Sequence, residues 1–393
     1  KSPAIRRTFF IFEYMKLPKS VQEKLSTRIA TNALRKLPAS NDLVDFASND
    51  YLGFAKCTTI FNKVHQLLID ESLLRNGATG SRLLSGNHKL YGSAEEFIAS
   101  FHQSESALIY NSGYDANVGF FSAAPQRNDV ILFDEFAHAS IRDGVLMSTA
   151  KSFKFKHNDL ADLEKLLKRF RTNHDEVYIV TESVFSMDGD SPDLIGLVKL
   201  SEKYKAHLVI DEAHALGVFG NRGEGLVQFL NLQNKVFARI MTFGKGLGCH
   251  GAAILGSSDL KNYLINFSRS FIYTTALSPH AIATILIAYQ TLQSSNEEIK
   301  LLQENSKCFN ENLPILLQAE LFNSAIKSII IPGNLVVKET AALLQEKGFD
   351  VKPILSPTVP EGKERLRFCL HSYNTKKEIT EVLGLLNEIL KKF

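Results

Sequence analysis

A chain of 393 residues, 45% hydrophobic and 22% charged, holds enough apolar material for a large and a small domain of ordinary globular composition. A net charge of +3 gives no electrostatic case for nucleic acid, and no run of about 18 apolar residues exists for a membrane span. The cysteines Cys57, Cys249, Cys308 and Cys369 are too scattered for a disulfide framework, which points to a reducing, cytoplasmic setting.

Residues 1–14 are basic and then aromatic, with too brief an apolar part and no small-residue site for a signal peptide. Met15 reads as the start, and residues 1–14 as a non-native or disordered extension. The spacing predicts a helix over 20–37, ended by Pro38, and then a strand over 43–47. A polar turn at 48–53 and a helix over 58–74 follow, leading to the loop Gly77-Ala78-Thr79-Gly80-Ser81-Arg82, which reads as a surface turn. Next come a helix over 93–103 and a strand over 107–110. Asn111-Ser112-Gly113-Tyr114 then turns into a helix from about 115, where free N–H groups suit an anion. A strand over 130–133 runs towards His138, and a strand over 151–155 and a helix over 159–170 continue the alternation. A strand over 177–180 enters the polar stretch 181–190, and a helix over 193–204 follows.

The apolar run 207–210 leads into Asp211, and the run 237–241 leads into Thr242 and Lys245 among glycines. Bounded runs of this kind read as buried strands. Ligands of open α/β sheets bind outside the carboxyl ends of strands, so Asp211 and Lys245 face one crevice. After Gly256 the pattern changes. It predicts an extended run over 272–275, helices over 279–292 and 295–318 as a joint, then strand, helix, strand and helix over 326–331, 334–347, 364–370 and 375–392. The expected fold is α/β: a large domain (53–285) with a mostly parallel sheet covered on both faces, an N-terminal helix and strand segment (15–52), and a small α+β domain (286–393).

A lysine and an aspartate at strand ends suit pyridoxal phosphate, which needs an amine for a Schiff base and a carboxylate at its pyridine nitrogen. Asp211-Glu212-Ala213-His214 also spells a Walker B string, but the chain has no GxxxxGK[ST] loop to accompany it. Residues 246–251 match GxGxxG, but a strand-like run follows where that fingerprint requires a helix.

The chain resembles the α-oxoamine synthases, pyridoxal-phosphate enzymes of fold type I. The resemblance is carried in order by FASNDYLG (46–53), NSGYDAN (111–117), DEFAHASIRDG (134–144), TESVFSMDGD (181–190), DEAHALGVFGNRGEG (211–225), TFGKGLG (242–248), FIYTTALSP (271–279) and SPTVPEGKERLRF (356–368). It implies a seven-stranded sheet and a decarboxylative condensation of an amino acid with an acyl thioester. Lys245 would form the Schiff base and move protons, Asp211 would pair with the ring nitrogen, and His138 would stack on the ring. His214 and Ser186 would sit near the phenolic oxygen and ring, and Gly113, Tyr114 and Thr242 near the phosphate. Thr274 and Thr275 would reach the cofactor of the neighbouring subunit in a homodimer with shared sites. Arg35, Asn49 and Arg367 would face substrate, and no metal is implied. The tail SPTVPEGKERLR and Arg35 resemble the branch that takes alanine and a pimeloyl thioester.

Leu355, Ala137 and Tyr91 depart from the family pattern, which more often has arginine, asparagine and histidine there; Lys352 lies close to Leu355. Glycine- and serine-using members, an aminotransferase or C–C lyase, and a non-catalytic protein on the same fold are the competing readings.

Overall fold

The computed structural model describes residues 17–37, 42–314 and 322–392. Residues 1–14 and Met15 lie outside the described residues. The strands are β1 (Val44–Asp45), β2 (Ser106–Tyr110), β3 (Val130–Asp134), β4 (Lys151–Phe155), β5 (Val177–Glu182), β6 (His207–Asp211), β7 (Ala238–Thr242), β8 (Ala252–Gly256), β9 (Ile326–Ile330), β10 (Phe349–Asp350), β11 (Lys352–Ile354) and β12 (Arg365–Cys369).

Seven of them form one sheet in the order β2-β8-β7-β6-β5-β3-β4. Neighbours from β7 to β4 are parallel, and β8 runs against both β7 and β2. The carboxyl ends of β2, β3, β5, β6 and β7 therefore meet along one edge. β3 and β5 are buried along their whole length, because helices cover both faces and leave no solvated side. One face packs on helices Gly113–Ala123 and Ala139–Met147 through Phe120, Phe121 and Ile141. The other packs on Leu160–Phe170 and Leu194–Tyr204 through Leu163, Leu167 and Leu197. Edge strand β4 exposes Lys151 and Lys154, charges that discourage pairing with another chain, and buries Phe155.

A three-stranded antiparallel sheet, β11-β12-β9, lies in the C-terminal part of the chain. Helix Lys376–Leu390 starts there with a capping box between Thr375 and Glu378. β1 pairs in parallel with β10, Val44 to Phe349 and Asp45 to Asp350, so the N-terminal segment is stitched to the C-terminal part.

Several elements differ from the sequence expectation. The first helix is Lys19–Ala30 and does not run to 37. Asn32 takes a left-handed φ of 53°, and the Ala33 N–H turns back to the Arg28 carbonyl, closing the helix early. Residues 272–275 are not an extended run. Helix Arg269–Ile272 occupies their start, since the Ile272 and Tyr273 N–H groups bond back to the Ser268 and Arg269 carbonyls. Helix Ser258–Phe267, capped by Ser257, has no counterpart in the sequence reading. The expected joint is two helices, Pro279–Leu292 and Asn296–Asn312; part of the expected 295–318 helix lies outside the described residues. The loop 77–82 is more than a surface turn: Arg82 pairs with buried Glu95 and lies 3.9 Å over the Tyr91 ring. Tyr91 is itself core, its hydroxyl accepting the Leu277 N–H at 2.9 Å.

Candidate active site

Register places the site. Asp211 ends β6 beside Glu182 of β5 and Ile240 of β7. The Asp211 carboxylate is buried and accepts from the Asn117 side-chain amide at 2.8 Å and the Ala213 N–H at 2.9 Å. Asn117 also donates to Ser140 Oγ at 3.0 Å, and Ser140 Oγ lies 2.7 Å from His138 Nδ1. One chain of hydrogen bonds thus links Asp211, Asn117, Ser140 and His138. His138 caps helix Ala139–Met147 and keeps its ring partly exposed. Burial lowers its pKa, with the Asp211 charge opposing.

Lys245 follows β7 in a glycine-rich turn. Gly248, at φ 59°, brings the backbone against Ala55, an approach no side chain would allow. The Lys245 amine is 2.8 Å from His214 Nε2, and His214 Nδ1 is 2.7 Å from the Tyr51 hydroxyl. Tyr51 donates to Asn49 Oδ1 at 3.3 Å. The direction of the chain follows. Lys245 donates to Nε2, Nδ1–H donates to Tyr51, and Tyr51 donates to Asn49. Burial pushes Lys245 down to about 8 against the pull of Asp211 and Glu182. Burial and the Lys245 charge hold His214 well below the usual imidazole range, so it is neutral. Buried Glu182 accepts the His138 backbone N–H at 2.7 Å, and burial beside Asp211 lifts it to about 8.

Gly113 opens helix Gly113–Ala123, capped by Ser112, whose hydroxyl accepts from Asp115 N. A methyl at Gly113 would overlap Thr242 Oγ1, so the helix start and the end of β7 form one close-walled cradle of N–H and hydroxyl groups. Tyr114 is exposed and donates to Asp143 at 2.6 Å. Thr274 Oγ1 and the Thr275 carbonyl both accept from Asn111, at 3.0 and 2.7 Å.

On the other side, Arg367 of β12 is buried. It donates to the Ser186 carbonyl at 2.7 Å and to Asn49 Oδ1 at 3.0 Å. Asn49 and Arg367 thereby join the Lys245 chain, and Ser186 contributes backbone to the same corner. Arg35 stands apart: it is exposed and donates to Thr358 at 3.2 Å, in the loop before β12. Lys352 is held by Asp350 at 2.7 Å, and Leu355 packs against the core. Asn117, Ser140, Glu182 and Tyr51 were missed by sequence reasoning. Each sits inside one of the motifs that carry the family resemblance, and a polar residue among those motif residues was the available signal.

A family described as aminotransferase class I and II matches residues 41–386. The chain belongs to this family. It is 39% identical over 396 residues to an 8-amino-7-oxononanoate synthase of Emericella nidulans, covering 94% of each chain. It is 36% identical over 353 residues to one of Lysinibacillus sphaericus, covering 88% of each. Among solved structures it is similar to a serine palmitoyltransferase of Sphingomonas wittichii, with a TM-score of 0.87, 26% identity, and 95% of this chain and 97% of that one covered. It is also similar to an 8-amino-7-oxononanoate synthase of Francisella tularensis, with a TM-score of 0.76, 28% identity, and 90% and 99% covered. Family members of this fold are pyridoxal-phosphate enzymes. The residues fit that group: a half-buried amine of lowered pKa, a buried carboxylate that accepts from the Asn117 amide and the Ala213 N–H, and a cradle that a single methyl would fill.

Proposed function

We propose that the chain is a pyridoxal-phosphate-dependent acyltransferase that condenses L-alanine with a pimeloyl thioester. Carbon dioxide and free thiol leave, and 8-amino-7-oxononanoate is formed for biotin synthesis. The observation that carries this reading is the meeting of Lys245, His214, Asn49 and Arg367 in one hydrogen-bonded chain beside Asp211.

When bound, the cofactor supplies an electron sink for an amino acid that loses its α-proton. Asp211 keeps the pyridine nitrogen protonated, and Asn117 aims the carboxylate. His138 covers the ring, held by Ser140. His214 and Ser186 serve the phenolic side. The helix start at Gly113, Tyr114 and Thr242 serve the phosphate. Lys245, lowered to about 8, has a usable neutral fraction near neutral pH to take and return the α-proton. The Arg367 fork and Asn49 hold the substrate carboxylate. Arg35, on Thr358, offers its fork to the far carboxylate of the acyl chain. The chain works as a homodimer, with Thr274 and Thr275 serving the partner's cofactor phosphate. Exposed Leu83, Leu84 and Tyr273 support burial against a second copy.

The test mixes purified protein with pyridoxal phosphate, records the visible band, adds L-alanine, glycine or L-serine separately, and then adds pimeloyl-CoA. A band that shifts with alanine, with thiol released only after pimeloyl-CoA, supports the assignment. A response to serine or glycine alone keeps the acyltransferase and changes the amino donor. No band, with Lys245 unreacted after borohydride, refutes the reading.

A further inference from the structure

His157 has no role in the site as described, yet its ring is held at both nitrogens. Nδ1 is 2.9 Å from Asp134 Oδ1 and Nε2 is 2.8 Å from Asp190 Oδ2. An imidazole facing a carboxylate on each side donates from both nitrogens and is therefore a cation. Burial opposes that charge, but the hydrogen bonds of Asp134 and Asp190 overcome it and lift His157 to about 10. Phe136 and Phe185 pack on the ring, each with its centroid 4.5 Å away. Both carboxylates are buried and also hold loop groups. Asp134 accepts the Phe136 and Asn158 N–H groups at 2.8 and 3.0 Å, and Asp190 accepts the Asn158 amide at 2.6 Å. The loop after β3 carries His138. The loop after β5 carries Ser186, and its Asp188 pairs with Arg365 and accepts from Ser328 at 2.9 Å in the three-stranded sheet.

We infer that His157 is a positioning residue whose imidazolium ties the loop after β3 to the loop after β5. It thereby sets His138 and Ser186 against the cofactor and anchors the smaller sheet through Asp188. The inference rests on the pyridoxal-phosphate reading above. Without the cation, two buried carboxylates face each other uncompensated, and the loops part.

The full chain is compared with His157→Gln, and with His157→Gln combined with Asp190→Asn. The single change leaves one amide donor for two carboxylates. The double change lets the glutamine amide donate to Asp134 while its carbonyl accepts from the new amide. Hydrogen exchange is read over 134–138 and 183–190, and pyridoxal phosphate is titrated by absorbance. The single variant exchanges faster in both loops together and binds the cofactor about tenfold or more weakly, as loss of charged hydrogen bonds implies; the double variant recovers both. Parent-like exchange in both loops, or parent-like cofactor affinity, overturns the inference. If the single variant does not fold, a folded double variant with parent-like loops and affinity supports it, and one with loosened loops overturns it. A parent chain that binds no cofactor refutes the functional reading instead, and the exchange result still decides the tie between the loops.

Discussion

Tyr51→Phe tests the direction of the hydrogen-bonded chain from Lys245 to Asn49. Phenylalanine keeps the ring and its packing, so no cavity opens. What it removes is the oxygen 2.7 Å from His214 Nδ1. In the parent, that oxygen accepts the Nδ1 proton and leaves Nε2 as an acceptor for a Lys245 ammonium 2.8 Å away. In the variant, Nδ1–H has lost its partner, and the imidazole gains by moving its proton to Nε2. A lysine facing Nε2–H is better neutral than charged. The lost bond has a net worth of about 0.5–1.5 kcal/mol. At about 1.4 kcal/mol per pKa unit, Lys245 falls by roughly 0.4–1 unit from its value near 8. The assay is the pH dependence of the rate at which apo protein captures pyridoxal phosphate at Lys245, trapped with borohydride. The midpoint should move to lower pH while far-ultraviolet circular dichroism stays that of the parent. A midpoint unchanged or raised would refute the direction assigned to the chain.

Gly113→Ala places a methyl against Thr242 Oγ1, and overpacking of about 1–3 kcal/mol should weaken cofactor binding at the phosphate end, read by titration. Arg367→Lys removes a fork that spans the Ser186 carbonyl and Asn49. The KM for the amino acid should rise about tenfold or more while the cofactor stays bound, as steady-state kinetics and the visible band would show. Asp45 is pushed up by burial but lowered more strongly by the Ser48 and Ala47 hydrogen bonds, to about 2. Its folded pKa lies below its unfolded one, so its stabilisation is present above about pH 4 and fades as pH falls to about 2. Asp45→Asn should therefore flatten the loss of melting temperature across that acid window.

Much of the fold was legible locally. The runs 207–210 and 237–241 read as strands because parallel strands covered on both faces contain little but apolar side chains. The reactive residues stood at their ends for the same reason, since the polar edge begins where the covering helices stop. Helix Ser258–Phe267 was not legible in this way: only Leu260 and Leu264 are buried, and two buried apolar positions make a faint periodicity. The left-handed Asn32 turn ends the first helix ahead of Pro38, the more conspicuous stop in the sequence.

The sequence by itself determined the alternation of strands and helices, the glycine-lined turns and the residue types at each strand end. These are properties of short stretches, governed by side-chain period and backbone freedom. The tertiary structure alone decided that Asn117 aims Asp211, that Tyr51 orients His214, that Arg367 arrives from the smaller sheet to meet Asn49, and that His157 lies between Asp134 and Asp190. Such contacts depend on strand order, which local periodicity does not encode. Their short distances matter because buried polar groups that miss a partner are costly, so folding must bring these distant residues together.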